Sequence, residues 1–501
     1  MKMLTARANR NIVRVIDEGV ITVLWFVIVL IAVAALAAVL LVRASLFVPR
    51  DEKRVPTEFS PAPLEPAVER FAEMLKKPTV SARDESAVDR KPFEEFIALL
   101  PQLYPKTHAT LSCERVAGYS LLYHWKGRSS DEPVVLMAHY DVVPAPEEGW
   151  VNPPFSGLVK DGNIWGRGSI DTKVTVAGIF EAVERLVSEG FTPEHDIYLS
   201  FGADEEIGGV KGTPSIVALL KQRGIKPLAV LDEGGAVVRG AFPGVKEPIA
   251  VIGTAEKGRT DLELTVRGTG GHSSSPSRDD PAARLARAIV RLDRKPFRAF
   301  FSKTNLEMFD ILGRHAPFGL RLVFANLWLF RPLLLKMFVK NGGETAALCR
   351  TTFAVTMLGA SESANILPNT VRAVANIRNA VGETVEYDVK RIKHVINDEG
   401  VELRTVFSAE PSPVSDTSGE GYALVSSTVA ETYPEAIVTP YIMLAQSDSR
   451  HYAPICRDVF RFTPLELSRE ERESMHNINE HLPTEKFGKC IEFYTRLIKK
   501  L

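Results

Sequence analysis

Near residue 200 the chain reads SFGADEEIGG, in which Asp204, Glu205 and Glu206 follow an apolar β-like run and precede two glycines. Three adjacent carboxylates repel one another, and in isolation such a run reads as a solvated acidic turn. Four further stretches argue against that bland reading. LMAHYDVVP carries His139 and Asp141 two residues apart, and GRGSIDTK presents Asp171 after a turn-prone Gly-Arg-Gly. LAVLDEGG ends a strand pattern on Asp232 and Glu233, and ESMHNINEH offers His476. In an open α/β sheet the loops at the carboxyl ends of the strands converge on one crevice. Converged, two imidazoles and several carboxylates form a donor set for two zinc ions, with one Asp shared between them. Asp141 is spaced to accept the N–H of the second ring nitrogen of a metal-bound His139. The adjacent glutamates then have separate tasks, one binding metal and the other staying free to take a proton from water.

The elements that must position these groups alternate. YSLLYHW, PVVLMAHY, DIYLSFGA and LAVLDEGG read as strands, while VTVAGIFEAVERLVSEG and PSIVALLKQRG read as helices. Such alternation predicts an α/β layer architecture with a mixed, mostly parallel sheet. From about Gly258 the order becomes strand (TDLELTVRGTG), helix (DDPAARLARAIVRL), two strands (TTFAVTML, TVRAVANIR), helix (TVEYDVKRIKHVI) and strand (VELRTVFS). That is the β-α-β-β-α-β ferredoxin-like pattern, a second α+β domain inserted into the first. The expected partition is an N-terminal tail and transmembrane signal anchor at 1–43, a proline-containing linker at 44–65, a catalytic domain at 66–257 and 411–501, and an inserted lid or dimerisation domain at 258–410. The insert contains an extra apolar segment at 296–350. Its FGLRLVFANLWLFRPLLLKMF is interrupted by Arg321, Arg331 and Lys336, which argues against a second span and leaves packed helices, an acyl-chain groove or a membrane-facing patch.

The 501 residues carry a net charge of -1 with no basic run, which removes the electrostatic footprint of nucleic-acid binding and favours a small-molecule substrate. Four well-separated cysteines make neither a zinc finger nor a disulfide framework. Residues 19–42 are uncharged and long enough to cross a bilayer, and Arg43 spoils a cleavage site, so the segment is read as an uncleaved single-pass anchor. Basic residues flank it on both sides, and the expectation that the catalytic part lies on the non-cytoplasmic side follows the usual behaviour of such anchors.

HYDVVPAPEEGW, GRGSIDTK, DEEIGG, DEGG, GTGGHSSSP, NILPNTVRAVANIR and HNINE occur in the order found in the aminoacylase and carboxypeptidase S family of co-catalytic zinc metallopeptidases. The chain resembles that family from about residue 65 to its end, and within it the carboxypeptidase S and N-fatty-acyl-amino acid synthase/hydrolase branch. The resemblance implies two zinc ions per subunit, with His139, Glu206, Asp232 and His476 as terminal ligands and Asp171 as the bridge. It further implies Asp141 as the orienting carboxylate, Glu205 as general base and His272 as the oxyanion-stabilising lid residue, in some members supplied by the partner subunit of a homodimer. Asn365 and Arg378 match lid positions that hold substrate, and a guanidinium suits a bidentate grip on a terminal carboxylate. At the strand end both Asp232 and Glu233 are available, and Asp232 is favoured. Thr172 stands where many relatives carry a second Asp, which leaves the ligand itself in place.

The implied activity is a membrane-anchored zinc amidohydrolase cleaving, and in reverse forming, the amide of N-acyl amino acids with a free α-carboxylate. The alternative is a carboxypeptidase S-like metallocarboxypeptidase or dipeptidase acting on short peptides. A catalytically dead relative serving as a binding protein would lack Glu205 or a ligand, and the chain retains them all.

Overall fold

The computed structural model describes residues 2–50, 58–276, 278 and 280–501, so part of the expected linker, 51–57, lies outside the described residues. The chain divides into two compact units, one comprising Met1–Glu52, Phe242–Val245 and Phe309–Leu334, the other the remainder.

The larger unit is built on a ten-stranded mixed sheet. Its centre is Ser129–His139, flanked in parallel by His195–Gly202 on one side and Ala229–Asp232 on the other. Val459–Arg461 continues the parallel run beside Ala229–Asp232. The central strands are nearly unbroken apolar runs because both faces are covered; Val134 to Ala138 and Ile197 to Phe201 are buried throughout. The helix Lys173–Ser188 is also apolar nearly all round, with twelve buried residues, and it packs against Thr484–Ile498. Three parallel neighbours ending on the same sheet edge bring His139, the turn after Gly202 and the end of Ala229–Asp232 to one rim.

A separate four-stranded antiparallel sheet has the order Thr352–Gly359, Thr370–Asn379, Gly258–Arg267, Glu402–Ala409. With helices Pro281–Arg294 and Val385–Ile396 it completes the ferredoxin-like topology. Leu262, Leu264, Ala373, Ala375 and Ile377 face the helices, at the period of two that the sequence shows.

The smaller unit centres on the helix Lys2–Leu46. Its segment Thr22–Leu46, of mean hydropathy 3.1, is exposed over most of its length, with Ala44 buried near its end, and is the one helix among the described residues long and apolar enough to cross a membrane. The segment at 296–350 forms helices Lys303–His315, Phe318–Phe324, Leu327–Asn341 and Gly343–Cys349. The second and third of these are bent by 103° at their junction, so the apolar run does not continue as one straight rod.

Candidate metal and active site

His139 ends the central strand and is buried at 2% exposure. Its Nδ1–H donates to the carbonyl oxygen of Asp141 at 3.0 Å, with the Asp141 carboxylate at 3.4 Å. That contact fixes the ring and turns Nε2 toward a group of carboxylates. Nε2 lies 3.1 Å from Asp171 Oδ1, 3.1 Å from Glu233 Oε1 and 3.9 Å from Glu205 Oε2. The other Asp171 oxygen, Oδ2, is 3.0 Å from His476 Nε2, which is itself 3.2 Å from Glu206 Oε2. Asp171 therefore presents one oxygen to each imidazole.

The Asp141 carboxylate does more than face His139. It accepts the backbone N–H groups of Glu205 and Glu206 at 3.2 and 3.1 Å and the Ser81 hydroxyl at 2.7 Å. One side chain thus couples the orientation of the histidine to that of the Glu205–Ile207 turn. Gly208 closes that turn with φ of +105°, a conformation that side chains resist and glycine adopts freely.

Of the two strand-end carboxylates, the favoured Asp232 is not the one that lies beside His139. Asp232 Oδ2 accepts the Ser449 N–H at 3.0 Å, while Glu233 reaches His139. Successive side chains of a strand point to opposite faces, so one step along LDEGG exchanges a group facing the Ser447–Arg450 loop for one facing the cluster. That loop is a buttress the sequence reading missed. Asp448 Oδ2 accepts the Thr213 hydroxyl at 2.7 Å, and Arg450 Nη2 donates to Gly208 O at 2.6 Å, behind the Glu205–Ile207 turn. Behind it in turn, the fully buried Glu256 pairs with Arg461 at 2.6 Å and accepts from both Ser447 and Ser449. Glu480 was also missed, although it closes the HNINE motif. It is fully buried, pairs with Arg167 at 2.6 Å and accepts the N–H groups of Gly168, Ile170 and Asp171.

The residues expected on a lid fall into two places. His272 and Ile366 pair across two short strands, and Ser273 N donates to Asn365 O at 3.2 Å, so His272 and Asn365 are neighbours. His272 is exposed, and its Nδ1 accepts the Ser274 N–H at 3.2 Å, which leaves Nε2 to carry the proton of the neutral ring. Arg378 sits on the four-stranded sheet directly opposite Arg259, and its Nε donates to Asn376 Oδ1 at 3.2 Å. Burial and the adjacent Arg259 lower its pKa, the mark of two cations held side by side. Among the described residues, no hydrogen bond or ion pair joins His272, Asn365 or Arg378 to the His139 cluster.

The cluster carries more negative charge than a protein interior accepts unaided. Burial pushes the Glu233 carboxyl up to about 8 and lifts Glu205 well above the usual carboxylate range. His139 is raised despite its burial, because Glu233, Asp141 and Asp171 favour the imidazolium. His476 is raised to about 10 by its contacts with Asp171 and Glu206. Protons fill the role of missing positive charge here, and the buried Glu206 Oε1 has no hydrogen-bond partner at all. Divalent cations fit both observations. His139 with Glu205 and Glu233, and His139 with Asp171 and Glu206, each bring three ligand atoms within 4.8 Å of one another. Bonds of about 2.0–2.2 Å to a tetrahedral ion place neighbouring ligand atoms roughly 3.3 Å apart, close to the 3.0–3.2 Å separations of the paired groups.

Residues 135–500 match the family described as Peptidase family M20/M25/M40. The chain is 36% identical over 438 residues to the probable carboxypeptidase S-like 2 of Dictyostelium discoideum, covering 86% of this chain and 84% of that one. It is 36% identical over 457 residues to the N-fatty-acyl-amino acid synthase/hydrolase PM20D1 of Mus musculus, covering 90% of each. Among solved structures, the M20 family metallo-carboxypeptidase Sso-CP2 from Sulfolobus solfataricus superposes with a TM-score of 0.65 at 19% identity, over 86% of this chain and 98% of that one. With the family match spanning most of the chain, and a cluster of imidazoles and carboxylates at the rim of its sheet, the protein belongs to peptidase family M20/M25/M40 and is a metal-dependent hydrolase.

Proposed function

We propose that the protein is a membrane-anchored, dinuclear zinc amidohydrolase that cleaves N-acyl amino acids bearing a free α-carboxylate. The observation that carries the dinuclear reading is the split of Asp171 between two imidazoles, Oδ1 toward His139 and Oδ2 toward His476. One ion would be held by His139, Glu233 and Asp171, the other by His476, Glu206 and Asp171. Bound zinc supplies Lewis acidity for the amide carbonyl and makes water more acidic.

The remaining steps belong to the chain's own side chains. Glu205 takes a proton from water as the water oxygen attacks the amide carbon, then returns that proton to the departing amine nitrogen. Its desolvated carboxyl, raised well above the ordinary range, is a stronger base than an exposed glutamate. Asp141 holds Glu205 and His139 in fixed relation through the turn N–H groups. Residues 258–410 act as a lid, on which the Nε2–H of His272 meets the carbonyl oxygen as it gains charge, while Asn365 and the cation pair of Arg378 and Arg259 receive the substrate carboxylate.

The acyl side of the substrate is assigned from the similarity to the mouse N-fatty-acyl-amino acid synthase/hydrolase over 90% of both chains. The Thr22–Leu46 helix serves as the anchor, with the catalytic part on the non-cytoplasmic side. The test is hydrolysis of long-chain N-acyl-phenylalanine and N-acyl-leucine against dipeptides with the same C-terminal residues, using full-length zinc-loaded enzyme and a Glu205→Ala control. Turnover of the acyl series that is lost in the control supports the proposal. Turnover of the dipeptides alone replaces it with the carboxypeptidase reading that the Dictyostelium relative favours.

A further inference from the structure

The apolar run from Phe318 to Met337 supplies no residue to the His139 cluster, yet it is composed like a membrane segment. Its two helices, Phe318–Phe324 and Leu327–Asn341, are about 10 and 22 Å long at 1.5 Å per residue, each short of the roughly 30 Å hydrocarbon core. The 103° bend prevents them from adding their lengths. Neither a span nor an ordinary surface pair describes them.

Their attachment sets their height. Arg43 Nε and Nη2 donate to Ala325 O at 3.1 and 2.9 Å, and Asn326 Nδ2 donates to Leu40 O at 3.1 Å. Both contacts clasp the corner of the bend to residues 40–43 of the first helix, inside the last two turns of its apolar stretch. Arg43 is the first charge after the uncharged residues 19–42, so the clasp sits at the end of that run. This is the level at which the headgroups of a bilayer meet its acyl chains, where tryptophan and arginine collect.

The side chains match that depth. Trp328 is 59% exposed and Leu333 54% exposed, with Phe318 and Leu329 also outward. Leu329 and Leu333 share one helix face. Arg321 lies over the Phe318 ring at 5.7 Å, an arrangement that allows its charge to reach headgroups while its stem stays among apolar groups. The exposed apolar surface of the corner thus adjoins the exposed apolar surface of the first helix.

We propose that the corner at Phe318–Leu334 is seated in the lipid bilayer, at the headgroup–acyl boundary of the leaflet where the first helix emerges. The inference rests on the reading of Thr22–Leu46 as a membrane anchor, and the experiment separates the two. Full-length protein carrying Cys113→Ser, which removes the exposed thiol, is placed in phospholipid nanodiscs with a nitroxide at one of four positions: Val33→Cys, Trp328→Cys, Leu333→Cys or Lys126→Cys. Collision rates with oxygen and with a water-soluble nickel chelate report depth.

The expected result is a deep Val33, shallower but lipid-exposed 328 and 333 positions, and an aqueous 126. A deep Val33 with 328 and 333 as aqueous as 126 overturns the corner proposal alone. An aqueous Val33 overturns the anchor reading and the proposal with it. Dipolar broadening between labels at 328 would show that a second copy covers the corner, and so also overturns it. Brominated acyl chains give an independent measurement on unlabelled protein. The proposal requires less tryptophan quenching in Trp328→Phe than in wild type, and equal quenching refutes it.

Discussion

Glu233 Oε1 lies 3.1 Å from His139 Nε2, although it is the preceding Asp232 that ends the strand. The two carboxylates have different partners, His139 for Glu233 and the Ser449 N–H for Asp232. Replacing Glu233 with Gln is expected to remove one bound zinc and nearly all activity. Asp232→Asn is expected to leave zinc content closer to normal and to weaken metal affinity or activity by about 10–100-fold, as loss of an outer hydrogen-bonding partner does. Metal analysis of both variants after gel filtration decides the matter, and equal zinc loss in both would reinstate Asp232 as a ligand.

Arg378 and Arg259 face one another across two strands of the four-stranded sheet. If this cation pair receives the substrate carboxylate, Arg378→Met should lower kcat/KM for N-acyl amino acids by about 10–100-fold, the range for a hydrogen bond to a charged group. The same substitution should leave the slower turnover of the corresponding C-terminal amides nearly unchanged. Equal losses on acid and amide would mean that Arg378 supports the sheet rather than the substrate.

Metal loading should release protons. In the cation-free protein Glu233, pushed up to about 8 by burial, and His476, raised to about 10 by Asp171 and Glu206, both hold protons at pH 7. Ligation needs their deprotonated forms, so binding displaces the protons and affinity rises as pH climbs toward 8. Titration calorimetry of zinc into the cation-free protein, in two buffers of different ionisation enthalpy, should give a net release of at least one proton at pH 7. A buffer-independent heat would contradict this site.

The parallel strands, the inserted ferredoxin-like sheet and the convergence of His139, Glu205, Glu206, Asp171 and His476 were legible because local patterns specify them. Period-two alternation marks the strands of the four-stranded sheet, His139 ends one strand of the larger sheet, and Glu205 and Glu206 follow another. What local pattern cannot specify is the face on which a side chain emerges once a strand is ending, and LDEGG gave two candidates at that point. Nor does sequence show partners far apart in the chain. Glu480 is a buried brace only because Arg167, 313 residues earlier, lies beside it, and Arg450 matters because it reaches Gly208, 242 residues earlier. The bend at Ala325–Asn326 was hidden for the same reason, since its clasp involves Leu40 and Arg43.

The Arg167–Glu480 pair supplies a test of that buried brace. Both side chains are nearly inaccessible, at 3% and 0%, and Glu480 also accepts three backbone N–H groups leading to Asp171. Arg167→Met leaves the Glu480 charge buried without its counter-ion, which costs about 3–5 kcal/mol. Adding Glu480→Gln removes that charge while retaining one acceptor oxygen, so the double variant should be more stable than Arg167→Met alone. Denaturant unfolding without added metal keeps cation binding out of the comparison. If the double variant were the weaker of the two, the carboxylate would be held chiefly by the Gly168, Ile170 and Asp171 N–H groups, and Arg167 would serve mainly to fix the Asn477 carbonyl beside His476 through its 2.9 Å hydrogen bond.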